Sequence, residues 1–194
     1  MSKRKKFSPD GVQDDGRHSY YLSDELSLTV WMFSQATNTH MKAFAKALAK
    51  AGTGITTMQW TTLWLLLSSP GSMSLTEIAK FLPIEIHSVS ALVEKLEKRG
   101  LIKRIRSKND RRVVNIYLTE QGFNILKKTA PYTYDFNMNT IGTLSGAQIK
   151  ALQKITKKIR DRDLEMLEQD PKRADVVLER LANMTAESRH FTDG

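Results

Sequence analysis

Residues 101 to 122, LIKRIRSKNDRRVVNIYLTEQG, hold two β-prone runs, Leu101 to Arg106 and Val113 to Leu118. Between them lies a polar tip, Ser107-Lys108-Asn109-Asp110-Arg111-Arg112. Aliphatic and β-branched runs flanking a short polar segment predict an antiparallel hairpin. Thr119 follows with the character of a helix cap, and Gly122 stands three residues on. Upstream, Leu75 to Leu82 and Ile86 to Arg99 carry short helical patterns. Helix, turn, helix and cationic hairpin, in that order, predict a winged helix-turn-helix. The fold class is then mainly α with a small β-hairpin (α+β), with long helices at either end. Such a plan points to double-stranded DNA as the partner.

The charge agrees. The 194 residues carry a formal net charge of +9, and 40% are hydrophobic, enough for a folded core. A surplus of that size favours polyanions. Lys98, Arg99, Lys103, Arg104, Arg106, Lys108, Arg111 and Arg112 crowd one short stretch in which only Asp110 opposes them. A solvated surface would interleave both signs. The chain has no cysteine, which excludes disulfides, cysteine zinc sites and thiol switching. The basic Met1 to Lys6 is not followed by an apolar stretch, so no secretory signal is expected. Trp64 to Leu67, the longest compact apolar run, is too short to span a bilayer. A cytoplasmic protein without membrane association is expected.

Around the hairpin the periodicity places the remaining elements. Residues 1–18 read as a flexible basic arm. Residues 19–54 carry a long helix opened by Ser23 and Asp24 and closed by Gly52 and Gly54, with Leu22, Leu26, Val30, Phe33, Met41, Phe44 and Leu48 at helical spacing. Low propensity at Thr37-Asn38-Thr39 predicts a bend there. The winged core is expected over 55–122. Thr56 with Gln59 and Ser74 with Glu77 have capping-box spacing. Trp60, Leu63, Trp64 and Leu67 form the expected buried stripe of the first core helix. Pro70 and Gly71 stop that helix, and Pro83 breaks the direction of the next. Residues 123–168 read as two helices, the first from Thr119 to about Asn137 and weakened by Pro131, the second capped by Ser145 and Gln148. A short helix over 171–184 lies in a C-terminal extension, 169–194, opened by Asp170-Pro171.

The helix from Ile86 to Arg99 turns Val89, Leu92, Val93 and Leu96 to one side. Its other side carries His87, Ser90, Glu94, Lys95 and Lys98, with Ser88 at the margin. A helix of this kind fits the major groove, its N-terminal residues reaching base edges. Ser88 and Ser90 suit bases or phosphates, and Lys95 and Lys98 suit phosphates. Glu94 either accepts from cytosine or repels phosphate. Lys108, Arg111 and Arg112 at the hairpin tip suit a narrow minor groove, with Asp110 orienting an arginine.

Asp110 to Gly122, DRRVVNIYLTEQG, resembles the wing signature of the MarR family of bacterial transcription regulators. That signature is D-x-R, three residues, an aliphatic, any residue, then L-T-x-x-G. Each fixed position matches, and the order of elements is similar over roughly residues 20 to 168. The resemblance implies that Arg112 enters the minor groove, that Asp110 is its structural partner, and that Ser88 and Ser90 are recognition-helix positions. Two features depart from the pattern: no strong cap precedes Glu85-Ile86-His87, and nothing in it accounts for residues 170 to 194.

A single winged helix reads one half-site, so a homodimer on a palindromic operator is expected, held by the helices over 19–54 and 123–168. Repression is favoured over activation because occlusion requires only binding. The resemblance further implies a small aromatic or anionic effector. Trp31, His40, Met41, Phe44, Trp60 and Trp64 are the candidates to line its site, although aromatics and Met at helical spacing are more often core. No cofactor is implied. His18, His40, His87 and His190 are scattered without i, i+4 partners, so no metal site is expected. A winged-helix protein-interaction module is the alternative, and the concentrated like charge argues against it. No nucleophile–base pair or phosphate loop suggests an enzyme.

Overall fold

The computed structural model describes residues 25–69, 71–82, 84–106, 113–169, 172 and 175. Outside them lie the basic arm, the helix start at Ser23 and Asp24, Pro70, Pro83, the hairpin tip from Ser107 to Arg112, and nearly all of the C-terminal extension. The chain divides into two units, Met1–Ala43 and Phe44–Gly194. Among the described residues, no helix is long and apolar enough to cross a membrane.

The described part of the first unit is helical. It belongs to α1, Glu25–Ala49, whose last turns fall in the second unit. The expected bend at Thr37 to Thr39 does not interrupt α1. The Thr37 hydroxyl donates to the Phe33 carbonyl at 2.9 Å, as Thr29 does to Glu25 at 2.7 Å, so these β-branched residues are satisfied inside the helix. Leu26, Leu28, Val30, Trp31 and Met32 are each more than half exposed.

The second unit holds the core. Helix α2, Thr57–Ser68, starts in the expected capping box: Gln59 N–H donates to Thr56 Oγ1 at 3.3 Å, and Thr56 N–H donates to Gln59 Oε1 at 3.2 Å. Its burial differs from the expected stripe. Thr62, Leu63, Leu65, Leu66 and Ser68 are buried, whereas Trp60, Trp64 and Leu67 are partly buried. A helix packed on several sides loses its amphipathic period. Helix α3, Leu75–Ala79, has the Ser74–Glu77 capping box and ends before the expected Leu82. Helix α4, Ile86–Lys98, buries Val89, Val93 and Leu96, with Leu92 partly buried.

Strands β2, Ile102–Arg106, and β3, Val114–Leu118, form the hairpin, paired from Ile102 opposite Leu118 to Arg106 opposite Val114. A third strand was not anticipated. Met73–Ser74, β1, pairs antiparallel with β3, Met73 opposite Ile116, giving the order β1-β3-β2. Two residues are too few to show an alternating pattern, and Ser74 already reads as a cap. Leu63, Ile78, Val89, Val93, Leu96 and Ile116, all fully buried, join the helices to the sheet in one core.

Helix α5, Glu120–Asn139, continues through Pro131, which sits on its exposed side, where water can reach the carbonyl left without its helical donor. A 3-10 turn, Ile141–Thr143, leads to α6, Gly146–Met166, opened by the Ser145–Gln148 capping box. Asp175 accepts from Lys157 Nζ at 3.0 Å and Arg160 Nη2 at 2.6 Å, so this point of the C-terminal extension rests on α6 of its own chain.

Candidate nucleic-acid interface

The sequence around the wing explains how it is set. Helix α4 ends in a Schellman turn. Gly100, at φ +69°, donates to Glu97 O at 2.8 Å, and Leu101 N–H donates to Leu96 O at 3.0 Å. The chain then reverses into β2. Where β3 returns to the base of the hairpin, Thr119 caps α5 by accepting from Gly122 N–H at 3.1 Å, and its hydroxyl donates back to Gly100 O at 2.7 Å. Gly122 is required for a different reason. A Cβ there would stand 2.1 Å from Leu101 O and 2.8 Å from Leu118 Cδ1. The L-T-x-x-G segment therefore closes the base of the hairpin onto the exit of α4.

On α4, Ile86, His87, Ser90, Ala91, Glu94, Lys95 and Lys98 are exposed and Ser88 is half-buried. The sequence-derived residues His87, Ser88, Ser90, Lys95 and Lys98 thus share one helix outside the core. The helix starts at Glu85, whose side chain makes no capping hydrogen bond; its carbonyl accepts from Ser88 and Val89. Lys108, Asp110, Arg111 and Arg112 lie outside the described residues.

Three cations of the basic stretch are engaged within the protein. Lys98 Nζ is 2.6 Å from Glu94 Oε1, and that hydrogen bond holds the Glu94 carboxyl below its usual range. Glu94 is thereby neutralised by its neighbour one turn on. Arg104 Nε donates to Glu97 Oε2 at 2.7 Å, with Arg104 Nη2 on the same oxygen. The hydrogen bond from Arg104 depresses Glu97, and the same bond raises the guanidinium. Arg99 reaches away from the wing, to the turn before α2. The stretch is therefore less uniformly cationic than its linear sequence suggests, because α4 supplies acids from outside it. Lys103 lies over the Tyr117 ring of the paired strand, Nζ 5.8 Å from the centroid. Lys95 and Arg106 are exposed.

The aromatic candidates divide between the two units. Trp31 and His40 belong to the first, Trp31 being 61% exposed. Phe44, Trp60 and Trp64 belong to the second and pack together. Phe44 meets Trp60 edge-on at 5.0 Å, Trp60 stacks on Trp64 at 6.0 Å, and Phe136, which sequence reasoning missed, joins at 5.4 Å from Phe44. Trp60 Nε1 donates to Thr129 Oγ1 at 3.0 Å, tying α2 to α5. Among the described residues, no group of His, Asp or Glu is placed to hold a metal.

A profile of the MarR family matches residues 53–113, the segment that carries α2 to the start of the second hairpin strand. The uncharacterized HTH-type transcriptional regulator YpoP of Bacillus subtilis (strain 168) is 33% identical over 102 residues, which span 50% of this chain and 72% of YpoP. The chain belongs to the MarR family. It is a transcriptional regulator of the DNA-binding, winged-helix kind, and the matched relatives are regulators rather than enzymes. The transcriptional repressor MprA of Escherichia coli (strain K12) is 35% identical over 95 residues, covering 49% of this chain and 51% of MprA. The match therefore spans about half the length of that MarR-family relative. The crystal structure of Sco3205, a MarR family regulator from Streptomyces coelicolor in complex with DNA, superposes with a TM-score of 0.65 at 26% identity, over 71% of this chain and 88% of Sco3205.

Proposed function

We propose that the chain binds a two-fold symmetric DNA operator as a homodimer in the cytoplasm and represses by occupying it. In this reading α4 enters the major groove, with Ser88, Ser90 and His87 toward the bases and Lys95 toward phosphate. Lys98 joins it only by exchanging Glu94 for a phosphate. The wing carries Lys108, Arg111 and Arg112 into the minor groove, Arg112 oriented by Asp110. Residues 55–122 would form the DNA-binding part, with 19–54 and 123–168 serving dimerisation. The observation that carries the reading is the polar, exposed side of α4 standing immediately before a hairpin with exposed cations. Repression is supported by the likeness to MprA, described as a repressor. Dimerisation is supported by the apolar side chains that α1 leaves in water.

Selecting bound sites from random duplex DNA tests this directly. A palindromic consensus is expected, and failure to bind duplex at modest ionic strength would leave the protein-interaction module as the better reading. On the selected site, Arg112→Ala should weaken binding by roughly 1–3 kcal/mol. Lys95→Ala should weaken specific and random DNA alike and reduce the salt slope by about 1. A changed sequence preference would instead make Lys95 a base reader. The effector belongs to the same proposal. Trp60 and Trp64 are stacked and half-buried, so a small aromatic anion entering beside them would quench their fluorescence and release DNA over the same concentration range. Quenching without release would separate the two.

A further inference from the structure

Arg99 belongs to the crowded cationic stretch, yet its side chain is spent elsewhere. It occupies the C-cap of α4, and its guanidinium crosses to the turn between α1 and α2. Nη2 donates to Thr53 O at 3.0 Å, and Nη1 donates to Gly54 O at 3.3 Å and to Gln59 Oε1 at 3.2 Å. The same Gln59 oxygen accepts from Thr56 N–H at 3.2 Å, so the guanidinium is joined to the capping box that starts α2. The turn itself is built to present carbonyls. Gly52 and Gly54 both stand at φ +62°, and the buried Thr53 hydroxyl has no hydrogen-bond partner among the described residues. Its link to α4 thus runs through two backbone oxygens and one amide, a spread of acceptors that a planar fork with fixed donors can span and a single ammonium cannot.

We infer that Arg99 is a positioning residue for DNA recognition: it pins the exit of the recognition helix to the turn that closes α1, and so sets the separation of the two recognition helices in the dimer. The inference rests on the dimeric DNA-binding reading above. It assigns Arg99 no phosphate. Removing the fork frees α4 to shift against the α1–α2 turn while the hydrophobic core beneath it stays in place.

The wild-type chain, Arg99→Gln and Arg99→Lys are compared in three measurements: the half-site separations selected from random duplex DNA, the salt dependence of Kd on the wild-type site, and amide hydrogen exchange of residues 52–56 without DNA. Both substitutions should lose about ten-fold in affinity on the wild-type site. They should also accept a wider range of half-site separations, exchange faster over 52–56, and keep the wild-type salt slope. The milder Arg99→Lys carries the test if Arg99→Gln does not fold. Retained affinity in Arg99→Lys, with a salt slope reduced by about 1 in Arg99→Gln, would make Arg99 a phosphate contact and overturn the inference. Folded variants with unchanged affinity and unchanged spacing would overturn it as well, leaving Arg99 a stabilising residue only. A wild type that selects no duplex removes the DNA reading and this inference together, an outcome distinct from indifference of the variants alone.

Discussion

Gly122 shows how a short motif can be a packing constraint. The first turn of α5 presses on Leu101 so closely that a methyl group would overlap a backbone oxygen, which has no rotamer to escape into. Gly122→Ala should cost roughly 1–3 kcal/mol by overpacking. A urea midpoint equal to wild type would mean that α5 can shift freely at its start. The cations nearby have separate tasks. Lys98 answers Glu94, Arg104 answers Glu97, and Arg99 holds a turn. Linear sequence sums their charge, whereas the folded arrangement gives each an address. The hydroxyl of Thr119 likewise serves twice, accepting from the α5 amide and donating to Gly100 O, of which the cap alone was foreseeable.

Between α4 and the wing, the Glu97–Arg104 pair is a described side-chain bridge from α4 to β2. The folded pKa of Glu97 is depressed, chiefly by the hydrogen bond from Arg104. Its stabilisation is therefore fully present above the unfolded carboxylate value of about 4.3 and is lost as pH falls through the lower folded value. About a third of each side chain is exposed, so water screens the pair and its worth stays below about 1 kcal/mol. Glu97→Gln should thus be slightly less stable than wild type at neutral pH, with the two denaturation curves converging below the carboxylate range. A difference that persists in strong acid would point to packing rather than charge. The two-stranded hairpin gains a third edge from Met73–Ser74, which ties the wing to the start of α3 and limits its freedom as a lever.

For the assembled protein, the exposed apolar residues of α1 are the feature most in need of a partner. Leu26 is 69% exposed and Trp31 61%, values unsuited to a helix that stays in water. Phe33→Glu should weaken the homodimer by about 2 kcal/mol, because each of the two protomers loses the further burial of a half-exposed aromatic. Sedimentation equilibrium reads this directly, and a wild type that sediments as a monomer would defeat the dimer reading. On the proposed dimeric reading, operator affinity should fall with Phe33→Glu while random-duplex binding by each winged core persists.

Much of this architecture was legible in the chain as written. The three capping boxes, the hairpin and the Thr119 cap all depend on residues a few positions apart, whose hydrogen bonds and backbone preferences are local and leave a fixed spacing behind. The all-round burial of α2, the third strand and the partners of Arg99 and Arg104 were not legible. Each depends on groups that share no spacing with their partners: Arg99 meets Thr53 across 46 positions, and Trp60 meets Thr129 across 69. Local chemistry chose which elements form. Long-range packing chose which charges remain available to a duplex, because an acid from another element neutralises a cation only once the chain has folded.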